Sequence, residues 1–385
     1  MKNFVFHNPV KIIFGKGQIA KLSEEISSSA RILMTYGGGS IHRNGVYAQV
    51  KEALKNHEVY EFGGIEPNPK YETLLKALAL IQEKNIDFLL AVGGGSVIDG
   101  TKFLAAAVFY HEGDPWDLLA KRVVVKKALP IGVVLTLPAT GSEMNGGSVI
   151  SRVSTREKKA FGSPLLYPRF SILDPEVTFT LPERQSANGI VDAFVHTTEQ
   201  YLTYPAQAPM QDRMAEAILL NLIHECPKVL SHPHDYDARA NMMWTATMAL
   251  NGLIGVGVPQ DWATHMIGHE LTALHGLDHG LTLAIVLPGV LTVMREEKKE
   301  KLVQYGQRVW NIIGLSEEDT ASEAIRRTDE FFRSLGMKTR LSEHGIGEET
   351  IREIVRRFSE PAKITLGERG TITPDKVGEI LRNRL

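Results

Sequence analysis

Cysteine is almost absent: the 385-residue chain has one, Cys226. A single thiol excludes an internal disulfide and every cysteine-built zinc or iron–sulfur framework. It fits a reducing compartment, so the cytoplasm is the expected location. An excess of either charge is also lacking. Lys and Arg number 43 and Asp and Glu 45, a formal net charge of −2. A general nucleic-acid binder carries a basic surplus, so no nucleic-acid partner is expected. Long hydrophobic runs are missing too. The two most apolar stretches, 245–259 and 281–294, are interrupted by Asn251 and glycines in the first and by Pro288 in the second. Both are shorter than the ~20 apolar residues of a membrane span. They read as buried helices of a soluble protein with no membrane partner. The opening MKNFVFHNPV carries no apolar stretch and cleavage site of the secretory kind.

What is present is an ordinary globular balance, 43% hydrophobic and 23% charged. At roughly 150 residues per domain the length suggests two or three domains. Up to about residue 180, apolar strand-like runs (Arg31–Tyr36, 88–92, Ile131–Leu137, Phe170–Leu173) alternate with helical patterns at 45–54 and 71–83. That alternation predicts βαβ units and a mostly parallel sheet. Asn68 stands between Pro67 and Pro69, which predicts an extended loop. From 181 onward apolar residues recur at helical spacing, as in 190–201, 214–223, 239–250 and 351–358. The expected organisation is an α/β N-terminal domain with a mostly parallel sheet over 1–180, followed by an all-helical C-terminal domain over 181–385. The charge run 295–301 reads as a solvated helix end, and Trp244 and Trp262 as core or pocket wall.

Two GGGS segments follow predicted strands. RILMTY runs into Gly37-Gly38-Gly39-Ser40, and FLLAV into Gly93-Gly94-Gly95-Ser96. A strand, a glycine turn and a helix N-terminus make a phosphate site, because backbone N–H groups approach the anion and the helix dipole favours it. Neither segment is GxGxxG, and 93–102 is not a Walker A loop. One GGGS alone is better explained as a tight turn, but two in one βαβ region point to a phosphate-bearing ligand. A third candidate is Pro138–Glu143, hydroxyl-bearing residues and a glycine at a strand's carboxyl end, where open α/β sheets bind ligands.

Asp192 and His196 lie at i, i+4 on a predicted helix, and His265 and His269 repeat the spacing. His275 and His279 follow in a glycine-punctuated stretch. An Asp and several His give oxygen and nitrogen ligands for a borderline divalent metal, Fe²⁺ or Zn²⁺. His269-Glu270 is not the start of HExxH: that motif needs His at 273, where the chain has Ala273.

Taken together, GGGSVIDGTK (93–102), LPATGSE (137–143), VDAFVHTTEQY (191–201) and GHELTALHGLDHG (268–280) resemble the iron-containing, group III alcohol dehydrogenase family. The resemblance is greatest to its butanol dehydrogenase and NADPH-dependent aldehyde reductase branch. It implies that the α/β N-terminal domain, 1–180, is dinucleotide-binding and the all-helical C-terminal domain, 181–385, metal-binding and catalytic, with metal ligation by Asp192, His196, His265 and His279 and His269 as the near-site catalytic histidine. It implies a pyrophosphate loop at Gly94, Gly95 and Ser96, and Asp99 at the nicotinamide-side ribose. Thr136, Thr140, Ser142, Asn145 and Lys158 match further cofactor positions, and Asn68 and Leu181 the adenosine side. Many members carry an acidic residue where this chain has Gly37-Gly38. With Ser40, that departure suggests NADP(H) in preference to NAD(H), since no carboxylate repels a 2′-phosphate.

The implied reaction is reversible hydride transfer between NADP(H) and a short to medium-chain aldehyde or primary alcohol, in a homodimer. Four ligands imply a five-coordinate metal or one loosely held ligand, since catalytic zinc usually has three. The alternatives are a lyase resembling dehydroquinate synthase, which needs a basic cluster beside the metal, and a non-catalytic dinucleotide or metal sensor. The sequence around 265–279 offers few Lys or Arg for the first, and the second needs no complete Asp/His set.

Overall fold

The parallel strands form where apolar and β-branched residues run without interruption. The structure, a computed structural model, describes residues 1–360 and 362–385. Its strands are β1 (Lys11–Phe14), β2 (Arg31–Tyr36), β3 (Glu58–Phe62), β4 (Phe88–Gly94), β5 (Ile131–Leu137), β6 (Gly147–Arg152), β7 (Glu157–Gly162) and β8 (Phe170–Leu173). Six of them make one sheet in the order β1-β8-β5-β4-β2-β3, and every pairing in it is parallel. Strands β4 and β5 are covered on both faces, which is why they read as continuous apolar runs. β1, β3 and the antiparallel pair β6–β7 were not foreseen. They are edge or exposed strands, and β7 (EKKAFG) carries polar residues that dilute the period-two signal.

The connections fix where a ligand can bind. From β2 the chain goes out to the edge at β3, then returns past β2 to β4 and proceeds the other way to β5. The order therefore reverses between β2 and β4, and a crevice opens at the carboxyl ends of strands at such a switch point. Both GGGS segments leave the sheet there.

Helices of eight or more residues are α1 (Val46–Ala53), α2 (Tyr71–Lys84), α3 (Gly95–Ala107), α4 (Glu183–Tyr201), α5 (Pro209–His224), α6 (Tyr236–Ala249), α7 (Ala263–His275), α8 (His279–Val293), α9 (Arg295–Arg308), α10 (Glu317–Ser334), α11 (Glu348–Ser359) and α12 (Pro374–Arg382). Two compact units result, and neither is one continuous segment. The sheet unit comprises His7–Pro182 and Ser231–Asn251, and the helical unit Met1–Phe6, Glu183–Leu230 and Gly252–Leu385. The 231–251 segment thus packs with the sheet, not with the helices around it in sequence. Thr247 of α6 donates to the buried Glu143 carboxylate at 2.6 Å, and Trp244 meets Phe14 edge-on at 6.0 Å. Helical periodicity tells that a segment is a helix, not which core it joins.

Three further expectations are corrected. The stretch 245–259 is not one helix: α6 ends at Ala249 and a loop follows to Trp262. Trp244 is not core but 41% exposed. The charge run begins a helix, α9, and Lys298 and Lys301 in it are buried, because carboxylates meet them. In the helical unit, Ala263, Ile267 and Leu271 of α7 pack with Ile285, Val286 and Val290 of α8 and with Ile351 and Ile354 of α11. Helix α8 runs through Pro288 unbroken.

Gly132 on β5 pairs with Phe170 on β8, and a Cβ at Gly132 would fall 2.5 Å from the Phe170 ring. That ring stacks on Phe88 at 6.2 Å, so it has little room to move. Gly132→Ala should lower stability by about 1–3 kcal/mol, the usual cost of overpacking. Urea denaturation of the variant checks this, and an unchanged midpoint would contradict it.

Candidate functional site

Glycines let three helices of the helical unit approach closely. A Cβ at Gly280 of α8 would fall 2.5 Å from the Asn188 carbonyl oxygen of α4, and one at Gly268 of α7 would fall 2.9 Å from Thr282 Oγ1 of α8. Asn188 also donates to Asp278, at 3.0 Å, just before α8. These contacts bring side chains from α4, α7 and α8 to one buried point.

At that point stands Asp192 Oδ1. His196 Nε2 lies 3.4 Å from it, His279 Nε2 3.6 Å and His265 Nε2 3.7 Å. Those separations are long for hydrogen bonds. Ligands about 2.0–2.1 Å from a tetrahedral ion stand about 3.3–3.4 Å from one another, which is close to what is seen. Ligand atoms of Asp192, His265 and His279 all lie within 4.8 Å of each other. His196 is not part of that trio, although its Nε2 is the nearest of the three imidazole nitrogens to Asp192 Oδ1, and its ring stacks on His265 at 4.7 Å. The donor set, one carboxylate and imidazoles without thiolate, suits Fe²⁺ or Zn²⁺.

The protonation of these rings follows from their surroundings. Burial pushes His196 down to about 4, so it stands as a neutral imidazole. Burial opposes charge on His265 as well, but the Glu199 and Asp192 carboxylates outweigh it and hold the ring up at about 9. His265 Nδ1 is bonded to Glu199 Oε2. Its buried Nε2 has no hydrogen-bond partner among the described residues. His269, one turn further along α7, is buried with its ring 5.4 Å from that of His279. His275, in contrast, bonds Thr350 at the surface.

The sequence reading missed Glu199. It lies seven residues after Asp192, two turns along the same face of α4, and that spacing was the available signal.

In the sheet unit, the other candidates gather at the strand ends. A Cβ at Gly95 would fall 2.4 Å from the Thr140 side chain, and one at Gly94 would fall 2.9 Å from Leu137, so the loop after β4 has no room for side chains. Ser96 Oγ accepts from the Asn68 backbone N–H at 3.2 Å, and Lys158 Nζ donates to Asn68 Oδ1 at 2.8 Å. Asp99 accepts from Ser142 Oγ at 2.6 Å and from the Val149 N–H at 2.9 Å. Thr136 is buried near the end of β5, and Thr140 Oγ1 accepts from the Ser142 N–H. Gly37, Gly38 and Ser40 follow β2, and around Gly38 a Cβ would meet nothing within 4 Å. The Leu181 N–H donates to the Thr178 carbonyl at 3.0 Å. Lys102, also unforeseen, is buried. Its ammonium donates to Ser142 O and Oγ, Asn145 Oδ1 and Gly147 O at 2.7–3.1 Å, which ties the segment after β5 to α3.

Residues 9–175 match the model of iron-containing alcohol dehydrogenase. Residues 186–385 match that of the C-terminal region of the Fe-containing alcohol dehydrogenase family. The chain belongs to the iron-containing alcohol dehydrogenase family. It is 56% identical to the NADPH-dependent aldehyde reductase YqhD of Escherichia coli, over 97% of both chains. It is 42% identical to the probable NADH-dependent butanol dehydrogenase 1 of Bacillus subtilis, over 100% of both. The crystal structure of E. coli K-12 YqhD superposes with a TM-score of 0.98 at 55% identity, covering 100% of this chain and 99% of that one. As a member of this family the chain is an enzyme, an oxidoreductase of alcohols and aldehydes. That decides against the lyase and sensor alternatives.

The geometry around Asp192 generates a direct test. Zn²⁺, or Fe²⁺ under anoxic conditions, should raise the melting temperature of the metal-free protein. Metal at one hundred times its Kd adds about 2.7 kcal/mol. Asp192→Asn keeps the shape but removes the central anion, and should abolish that rise. A rise of the same size in the variant would show that the ion binds elsewhere.

Proposed function

We propose that this protein is an NADPH-linked, metal-dependent aldehyde reductase that reversibly reduces short to medium linear aldehydes to primary alcohols. The observation that carries the reading is the convergence of three imidazole nitrogens on one buried carboxylate oxygen, 3.4–3.7 Å away. When bound, the metal supplies a Lewis acid to the carbonyl oxygen and the nicotinamide supplies the hydride. Asp192, His196, His265 and His279 would hold the metal. The N–H groups of Gly94, Gly95 and Ser96 at the start of α3 bind the pyrophosphate. Asp99 accepts from the nicotinamide-side ribose. Thr136, Thr140, Ser142, Asn145 and Lys158 bind along the cofactor, and Asn68 and Leu181 on its adenosine side. His269 would carry the proton: as imidazolium it would give one to the product oxygen, and as neutral imidazole it would take one back in the oxidative direction. The Trp262 ring, 5.3 Å from that of His265, offers an apolar wall for an alkyl chain. Each CH₂ buried there adds about 0.8 kcal/mol.

NADP(H) is favoured because no carboxylate follows β2. Gly37, Gly38 and Ser40 leave room for a 2′-phosphate and offer N–H and O–H donors to it. The name of the E. coli relative supports NADPH, and that of the B. subtilis relative specifies NADH, so the choice rests on this loop. The native metal is Fe²⁺ or Zn²⁺, both suited to these donors. A cytoplasmic location agrees with the single, buried Cys226. The enzyme acts as a homodimer. Edge strand β1, with Phe14 39% and Trp244 41% exposed, offers a face for a second copy.

Two measurements test this reading. With butanal as substrate, kcat/KM should be higher for NADPH than for NADH, and Gly38→Asp should lower the NADPH value by about tenfold or more, a cost of about 1.4 kcal/mol. The open space around Gly38 means that this variant folds. Equal values in the wild type, or no shift in the variant, would remove the loop from cofactor choice. His269→Ala should keep its metal and slow turnover about 10²-fold. An unchanged pH–rate profile in that variant would rule out proton transfer by His269.

A further inference from the structure

Helix α7 carries His265 near its N-terminus, and the way that terminus is held is unusual. The residue before it, Trp262, adopts the left-handed region at φ 66 without being glycine, a conformation that persists only where surrounding contacts fix it. The contacts are two carboxylates. Asp261 Oδ1 accepts from the Ala263 N–H at 3.0 Å. Glu199 Oε1, reaching across from α4, accepts from the Thr264 N–H at 2.7 Å and the His265 N–H at 3.4 Å. Asp261 in turn donates its own N–H to the Glu199 carbonyl at 2.8 Å. Its carboxylate is paired with the buried ammonium of Lys298 at 2.9 Å, which also pairs with Glu368 at 2.9 Å. Glu199 is therefore fixed in direction: one oxygen faces two backbone donors that cannot turn, and the other faces His265 Nδ1.

We propose that Glu199 is a positioning residue that makes His265 a metal ligand, by holding the proton on Nδ1 and thereby leaving the Nε2 lone pair aimed at the ion. The inference rests on the metal reading given above. An ion that binds the ring displaces one of its two protons, and the nitrogen whose hydrogen bond is held keeps its own. With Oε1 already taken by the Thr264 and His265 N–H groups, Oε2 of the Glu199 carboxylate accepts from Nδ1, and Nε2, buried and without a hydrogen-bond partner among the described residues, is left for the ion.

This assigns a specific consequence to the smallest change, Glu199→Gln. The Thr264 and His265 N–H groups demand an acceptor, so the amide turns its oxygen to them. Its NH₂ then faces Nδ1, which must accept, and the proton moves to Nε2. The variant keeps the cap on α7, and so the fold, but holds His265 in the form that cannot ligate.

The test is metal affinity, measured on the full-length protein with Zn²⁺ alone by competition with a chelator, alongside thermal melting of the metal-free forms. Glu199→Gln should bind Zn²⁺ about 10–100-fold more weakly than wild type, while melting without metal like the wild type. Zn²⁺ affinity within twofold of wild type in a variant with an unchanged melt would overturn the role of Glu199 and leave the metal reading standing. A wild type that binds no Zn²⁺ would overturn both. Should Glu199→Gln fail to fold, the wild type still decides. Anomalous scattering from zinc-loaded crystals should place the ion on His265 Nε2 with Nδ1 still against Glu199. An ion on Nδ1, or on Glu199 itself, would refute the assignment.

Discussion

One buried anion organises the helical unit. Asp192 is 3% exposed, and an ionised carboxylate taken out of water costs far more than any single packing contact returns unless something compensates it. What surrounds Asp192 Oδ1 is three imidazole nitrogens at ligand-to-ligand spacing. On the proposed reading the arrangement becomes favourable when a cation sits among them, and metal binding would then stabilise these helices by the same interaction. Much of the local sequence serves that geometry. Gly268 and Gly280 are small because helices must approach to the distance at which imidazoles from α7 and α8 meet a carboxylate from α4. The positive φ at Trp262 is held so that α7 starts where His265 and His269 are needed.

The charges beneath α7 follow from the same demand. Lys298 is 2% exposed, and with Asp261, Glu368 and the Leu202 carbonyl it forms a closed group in which each buried charge has a partner. Such a group adds little stability over an apolar core of the same volume. Its value lies in direction: it holds Asp261, Asp261 accepts from the first N–H of α7, and α7 carries His265 and His269. Lys102 does the corresponding work in the sheet unit, where four acceptors around one ammonium fix the turn after β5 against α3.

What the sequence made legible was whatever depends on local pattern. The runs Arg31–Tyr36, Ile131–Leu137 and Phe170–Leu173 are strands with those bounds, because central parallel strands need apolar side chains on both faces. The i, i+4 spacings placed Asp192 beside His196 and His265 beside His269. Unread were the features set by tertiary partners. Edge strands β1 and β3 lack a strong pattern of their own. Helix α6 looks like its sequence neighbours yet packs with the sheet. The run at 295–301 looked solvated because a lysine's neutralising carboxylates, here Asp261 and Glu368 for Lys298 and Asp212 for Lys301, lie far away in sequence. Glu199 was hidden for a related reason: its partners sit on another helix.

The two glycine loops illustrate how tolerance and constraint divide within one binding region. After β4, Gly93, Gly94 and Gly95 are each pressed by a neighbour, with Cβ positions 2.4–2.9 Å from Val97, Leu137 or Thr140. These residues belong to the packing of the sheet unit as much as to a ligand, and any side chain there strains strand and helix together. After β2, Gly38 touches nothing a Cβ would meet, so a side chain there changes only what a ligand finds. A carboxylate at that position hydrogen-bonds a ribose 2′-hydroxyl and repels a 2′-phosphate, and its absence reverses the balance. On the proposed reading, cofactor choice would be carried by a position where a Cβ meets nothing within 4 Å. That separation gives a physical reason why one fold can serve relatives named for NADPH and for NADH alike.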